Sequence, residues 1–193
     1  MAHAASLLVL ISLVSLGVGQ LRTYVISVNN GGSWGEWGRI EWCPDGYVAK
    51  GFSMKVEKEQ GDGDDTAVNG IRLHCVPRSG INLEVRITSS EGQWGRWTST
   101  YWCDNSYLVS FSLKVEEKLG SGDDTAVTNI MFRCMENLII QGDGLPWGFH
   151  GSWSQSCEKG ICGILTKVEE PQGSGDDTAL NDIQFFCCPS ENK

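Results

Sequence analysis

The sequence predicts an all-β fold built from three copies of one unit. Three observations carry this: two motifs recur three times at a fixed spacing, apolar residues alternate with period two inside each copy, and cysteines stand at matching positions. Lys-Val-Glu occurs at Lys55-Val56-Glu57, Lys114-Val115-Glu116 and Lys167-Val168-Glu169. Gly-Asp-Asp-Thr-Ala follows at positions 63–67, 122–126 and 175–179, with the first Asp always eight places after the Val. Eight places after each Ala comes a cysteine, as Cys75, Cys134 and Cys187.

In chain order, residues 7–18 form an apolar run of the length of a signal-peptide core, too short to cross a bilayer, and the small residues Gly17 and Gly19 suit cleavage before Gln20. Residues 1–19 are therefore expected to be a signal peptide, with 20–193 a single three-repeat domain whose repeats cover about 24–78, 79–137 and 138–188. No later stretch is long and apolar enough to anchor the chain, so a secreted, extracellular protein is expected.

The first unit opens with Trp34-Gly35-Glu36-Trp37 and Cys43. Phe52, Met54 and Val56 then point one way while Ser53, Lys55 and Glu57 point the other, and Ile71, Leu73 and Cys75 close the unit on every second residue. In the second unit Trp94 to Trp97, Cys103, the Phe111-Leu113-Val115 strand and the Ile130-Phe132-Cys134 strand repeat the order. The third keeps Cys157, Ile164-Thr166-Val168 and Ile183-Phe185-Cys187, but its Trp147 and Trp153 are spaced differently, Ser156 stands where Trp42 and Trp102 do, and Cys162 and Cys188 are additional. Gly-rich turns separate the strands, and no long helical pattern occurs.

A unit of roughly 55 residues buries its own apolar face poorly, so three should share a core, as three sheets closed into a prism or as a trefoil-like barrel. Eight cysteines in an exported chain favour disulfides over zinc. Matching positions pairs Cys43 with Cys75 and Cys103 with Cys134. Cys187 shares the buried face with Phe185 while Cys188 points oppositely, which favours Cys157–Cys187 with Cys162–Cys188 and leaves the crossed pairing open.

A formal charge of −9 disfavours nucleic acid and suits basic secreted proteins of a coat or matrix. The pairs Asp64/Asp65, Asp123/Asp124 and Asp176/Asp177 are candidate ligand-binding residues, since paired carboxylates can bind sugars or divide acid and base roles. Turn chemistry is the stronger reading, because Asp in Gly-rich turns bonds its own backbone and an enzyme has no need of a triplicated site. An EF-hand is disfavoured, its twelfth place falling on Leu73, so neither metal nor cofactor is expected. Gly31-Gly32-Ser33-Trp34-Gly35 matches a nucleophile elbow but lacks the following helix. Of eight tryptophans, Trp34, Trp37, Trp42, Trp94, Trp97, Trp102 and Trp153 are expected in the core, with Trp147 expected to be partly exposed and a candidate ligand residue.

Trp-Gly-x-Trp, Phe52-Ser53-Met54-Lys55-Val56-Glu57, the run from Gly63 to Cys75 and the terminal Phe185-Phe186-Cys187-Cys188 together resemble the vitelline membrane outer layer protein 1 family, from about Tyr24 to Cys188. The resemblance implies a β-prism of three Greek-key sheets with internal pseudo-threefold symmetry. It further implies a structural component of an egg's outer coat or a related extracellular fluid, with affinity for oligosaccharides and a tendency toward chito-oligosaccharide transfer, but no catalytic residue that maps onto this chain.

Overall fold

The computed structural model describes residues 24–58, 66–80, 83–116, 127–170 and 179–189. Among them every regular element is a strand. Each unit contributes one long hairpin: β4 (Tyr47–Val56) with β5 (Val68–Pro77), β9 (Leu108–Val115) with β10 (Val127–Cys134), and β13 (Ile161–Val168) with β14 (Leu180–Cys187). Short strands flank each hairpin. β6 (Val85–Thr88), β7 (Arg96–Trp97) and β8 (Tyr101–Trp102) complete the first sheet, in the order β6-β5-β4-β7 with β8 also on β4. β11 (Ile139–Gln141) and β12 (Phe149–His150) complete the second, in the order β11-β10-β9-β12. The third sheet is finished from the other end of the chain, by β1 (Val25–Ile26), β2 (Glu36–Trp37) and β3 (Glu41–Trp42), in the order β1-β14-β13-β2 with β3 also on β13. Each order is a Greek key, and the three sheets close into the expected β-prism.

The period-two pattern places one face of every hairpin inside. Phe52, Phe111, Phe132 and Phe185 are fully buried where the sheets meet, with ring centroids 4.7 Å apart for Phe52–Phe132, 4.8 Å for Phe111–Phe185 and 5.2 Å for Phe132–Phe185. Tilted and edge contacts of this kind satisfy the ring quadrupoles as well as burying area. The hairpin ends are stapled by Cys43–Cys75, Cys103–Cys134 and Cys157–Cys187, while Cys162–Cys188 lies in a separate small cluster with Val48 and Tyr107. Each closes a loop of 26 to 32 residues, which contributes about 3 to 4 kcal/mol in the chain-entropy account.

The recurring motifs are clips. Lys55 donates to Gly92 O at 2.8 Å, Lys114 to Pro146 O and Lys167 to Ser33 O, both at 2.5 Å, so the motif lysine pins the same tryptophan-bearing loop in all three sheets. The motif glutamate closes the hairpin: Glu57 accepts from the Thr66 hydroxyl at 2.6 Å, and Glu57 N–H donates to Ala67 O at 2.9 Å. Glu169 N–H makes the same bond to Ala179 O at 2.8 Å. Ala67 and Ala179 take left-handed φ of 55° and 43° to do so, beside a register shift in each hairpin. Glu57 to Ala67 and Glu169 to Ala179 each span ten places, the length of a loop whose two ends bond one another.

The third unit is more regular than its sequence spacing suggests. Gly35, Gly95 and Gly148 are equivalent, all with φ between 79° and 85°, and a Cβ there would meet the backbone of Val168, Val56 and Val115 respectively at 2.4–2.6 Å. Trp147 is therefore the counterpart of Trp34 and Trp94, and His150 stands where Trp37 and Trp97 do, each on a short strand paired with the end of the first strand of its sheet's hairpin. Gly95→Ala combines left-handed strain with this clash, so it should lower stability by at least about 2 kcal/mol in urea unfolding, whereas Gly80→Ala, which has open space at its Cβ, should cost about 1 kcal/mol from φ alone.

Candidate functional site

Most of the tryptophans are not in the core. Trp94 is 50% exposed, Trp34 45%, Trp42 43%, and Trp37 and Trp102 also stand at the surface, while Trp97 and Trp153 are half-buried. Trp147, expected to be partly exposed, is half-buried and packs against the core. The reason is geometric: the central space is filled by phenylalanine and aliphatic side chains from the hairpins, so the tryptophans of the edge strands lie over the outer faces instead. There Trp42 meets Phe186 at 5.0 Å, Trp102 meets His74 at 5.4 Å edge-on, and Arg133 sits 4.5 Å over Trp153. Trp153 thus does in the second sheet what Trp42 and Trp102 do in the others, from a different sequence spacing.

The expected ligand residues Asp64, Asp65, Asp123, Asp124, Asp176 and Asp177 lie outside the described residues. The elbow-like glycine run, 31–35, leads into strand β2, and Ser33 is held there by its carbonyl.

A serine, a histidine and a carboxylate do come together, at residues the motifs had not marked. Ser53 Oγ lies 2.9 Å from His74 Nε2, and His74 Nδ1 lies 2.7 Å from Glu84 Oε1, which also accepts from Arg86 at 2.6 Å. The carboxylate accepts, so the neutral ring carries its proton on Nδ1 and takes the Ser53 hydroxyl at Nε2. Ser53 and His74 are each only 2% exposed, and the neighbouring hollow of about 400 Å³ is lined by Glu84, Trp102 and Lys50 but by neither of them. No substrate carbon reaches that hydroxyl, so the trio satisfies buried polar groups rather than performing acyl transfer.

The arrangement suited to a ligand is a furrow of about 690 Å³ at the seam of the first and second sheets. Trp97 and Tyr101 supply its aromatic wall, Thr98 and Ser99 its hydroxyls, Glu57 and Asp143 its carboxylates, and Lys58 and Arg96 its cations. Arg72 holds Trp97 from one face at 3.7 Å, and Tyr101 is stacked on core Phe52 at 5.2 Å, so both rings are fixed before anything binds. Thr98 Oγ is itself anchored, accepting from Met54 N–H at 3.1 Å. Fixed rings beside convergent acceptors and donors are what a hydroxylated ring needs: apolar C–H faces against π-faces, hydroxyls to carboxylates. Sequence reasoning assigned Trp97 to the core and passed over Glu57, Tyr101 and Asp143. The signal available for them was only the second Trp of Trp-Gly-x-Trp, because Glu57 and Asp143 come from the other two units.

The fold and the furrow define a β-prism protein with an aromatic-walled surface site. Among solved structures with this architecture, the agglutinin of Calystegia sepium superposes with a TM-score of 0.54 at 15% identity, over 86% of this chain and 96% of that one. A mannose binding jacalin related lectin from Ananas comosus superposes with a TM-score of 0.55 at 12% identity, over 87% and 99%. At such identities the likeness is one of fold. The model of the vitelline membrane outer layer protein I family matches residues 24–190, and the chain belongs to that family. It is 48% identical over 195 residues to the vitelline membrane outer layer protein 1 homolog of Mus musculus, covering 96% of this chain and 97% of the relative. It is 52% identical over 170 residues to that of Homo sapiens, covering 87% and 84%.

Burial lowers the His74 pKa from the ordinary 6.5, with the Glu84 hydrogen bond and charge opposing it. The unfolded chain therefore takes up the proton first: the stability contributed by neutral His74 is complete above the unfolded pKa and is lost as the pH falls through 6.5 toward the native value. The third sheet carries Leu165 and Phe186 at the places of Ser53 and His74, so the double variant Ser53→Leu/His74→Phe should lose less stability than the parent in denaturant titrations taken from about pH 7 to pH 5.

Proposed function

We propose that this chain is exported and works outside the cell as a rigid component of a coat or secreted fluid, holding oligosaccharides in the furrow formed by Glu57, Trp97, Tyr101 and Asp143. The observation that carries the reading is that furrow: two pre-fixed aromatic rings facing acceptor and donor groups in a space of about 690 Å³, within the 300–1,000 Å³ typical of small-ligand sites. The family of egg-coat proteins to which the chain belongs and the sugar-binding names of its fold neighbours lend support. Export is supported by four disulfides, which form and persist in oxidising compartments, and by the signal-like residues 1–19.

A second reading, adhesion to basic coat or matrix proteins, is favoured by the net charge of −9. Calorimetric titration separates the two. Uncharged oligosaccharides should bind saturably, with affinity nearly unchanged on adding salt, and Trp97→Ala should weaken binding by about tenfold, or 1.4 kcal/mol. Salt-sensitive binding to basic proteins with no sugar uptake at millimolar concentration would give the role to the acidic surface instead.

A further inference from the structure

The pseudo-threefold fold repeats the furrow's surroundings at the other two seams, and the three versions differ in a way that sets valency. From the equivalence of Gly95 with Gly35 and Gly148, Trp97 corresponds to Trp37 and His150, and Thr98 to Gly38 and Gly151. The same bond recurs behind each: Thr98 N–H donates to Met54 O at 2.8 Å, Gly38 N–H to Thr166 O at 2.9 Å, Gly151 N–H to Leu113 O at 2.9 Å. Across the seam, Asp143 corresponds to Ser90 and Asn30, each two residues before a backbone N–H bonded to the hairpin of its own sheet: Leu145 to Thr128 O at 2.9 Å, Gly92 to Asn69 O at 2.6 Å, Gly32 to Asn181 O at 2.7 Å.

At the seam of the third and first sheets this yields a second furrow, of about 610 Å³, with Trp37 as its ring, Arg39 and Glu41 as its charged pair, and Ser89 and Ser90 on the far side. Its far wall is tied across the seam: Ser89 donates to Arg39 O at 2.7 Å, and Thr166 donates to Ser90 O at 2.6 Å. At the remaining seam Asn30 reaches across to donate to Leu113 O at 3.0 Å. His150 stands in place of the tryptophan, so that seam lacks the indole.

We infer that the chain carries two saccharide sites, at the Trp97 and Trp37 seams, and that both take uncharged sugars. The inference rests on the saccharide reading above and goes further in fixing number and ligand class. Charge decides the class. The Trp97 furrow sets Glu57 and Asp143 against Lys58 and Arg96, and the Trp37 furrow sets Glu41 against Arg39, so each is formally neutral on a chain of charge −9. A sulfated or sialylated glycan gains no cationic excess in either furrow and is repelled by the rest of the surface. With one site on each of two seams, a single molecule bridges two strands of a neutral polysaccharide, and avidity exceeds the affinity of either site.

The experiment is titration with chitotriose and with mannotriose, followed by the indole N–H signals in NMR spectra and by calorimetric stoichiometry, and then addition of soluble neutral mannan followed by light scattering. Two sites per chain are expected, with shifts at the Trp97 and Trp37 indoles. Trp97→Ala or Trp37→Ala should each leave one site of unchanged affinity and abolish the scattering increase, while Trp147→Phe should leave both. Asp143→Ala, at an exposed position, should weaken the Trp97 site alone and guards against a folding defect in the tryptophan variants. One site, three sites, or tighter binding of a sulfated trisaccharide overturns the two-furrow assignment while leaving sugar binding intact. No response to any sugar overturns the saccharide reading itself.

Discussion

None of the three sheets can hide its own apolar face. The meeting of Phe52, Phe111, Phe132 and Phe185 between the sheets, with Leu73 and Ile164 in the corresponding places, is the contact on which everything else depends. Those six side chains come from the first and second strands of each hairpin at equivalent positions, so removing one sheet would leave the other two with an exposed apolar wall. Aromatic filling of the middle also explains the surface. With the axis occupied by hairpin side chains, the tryptophans of the short edge strands have nowhere to go but the outer faces and the seams.

The repeat was legible because it is written in residues that act on their own unit or at a constant offset. Val and the alternating apolar residues announce the buried face, and the cysteines announce the staples. The Lys and Glu of the first motif were visible without their meaning, since the lysine's acceptor lies in a loop more than thirty residues away in the first two sheets and at the opposite end of the chain in the third. The tryptophans misled for a related reason. Their burial is decided by how much of the axis the phenylalanines already fill, which is a property of the closed prism and not of any local pattern. Trp147, which its loop rich in glycine and proline marked as partly exposed, is half-buried and leans on the core.

The candidate furrow was illegible for a further reason. Glu57 and Trp97 belong to the first sheet and Asp143 to the second, and sequence periodicity says nothing about which sheets become neighbours. Duplication supplied three similar seams, and small changes distinguish them: a tryptophan kept or replaced by His150, and Asp143, Ser90 or Asn30 on the opposite bank. A repeat protein can thus hold one architecture constant while each interface acquires its own chemistry.

The third sheet joins β1, β2 and β3 from near one end of the chain to β13 and β14 near the other. During synthesis those early strands emerge first and can find their partners only after residue 187 has been made. The first two sheets can form as they appear, but the prism cannot shut until the last hairpin, β13 and β14, has been made. The nascent molecule therefore waits with unpaired edges and one open wall of its core, a state prone to association with other chains. The Cys43–Cys75 disulfide joins the chain just after β3 to the first sheet, so once formed it holds the early strands near the place where the last hairpin arrives.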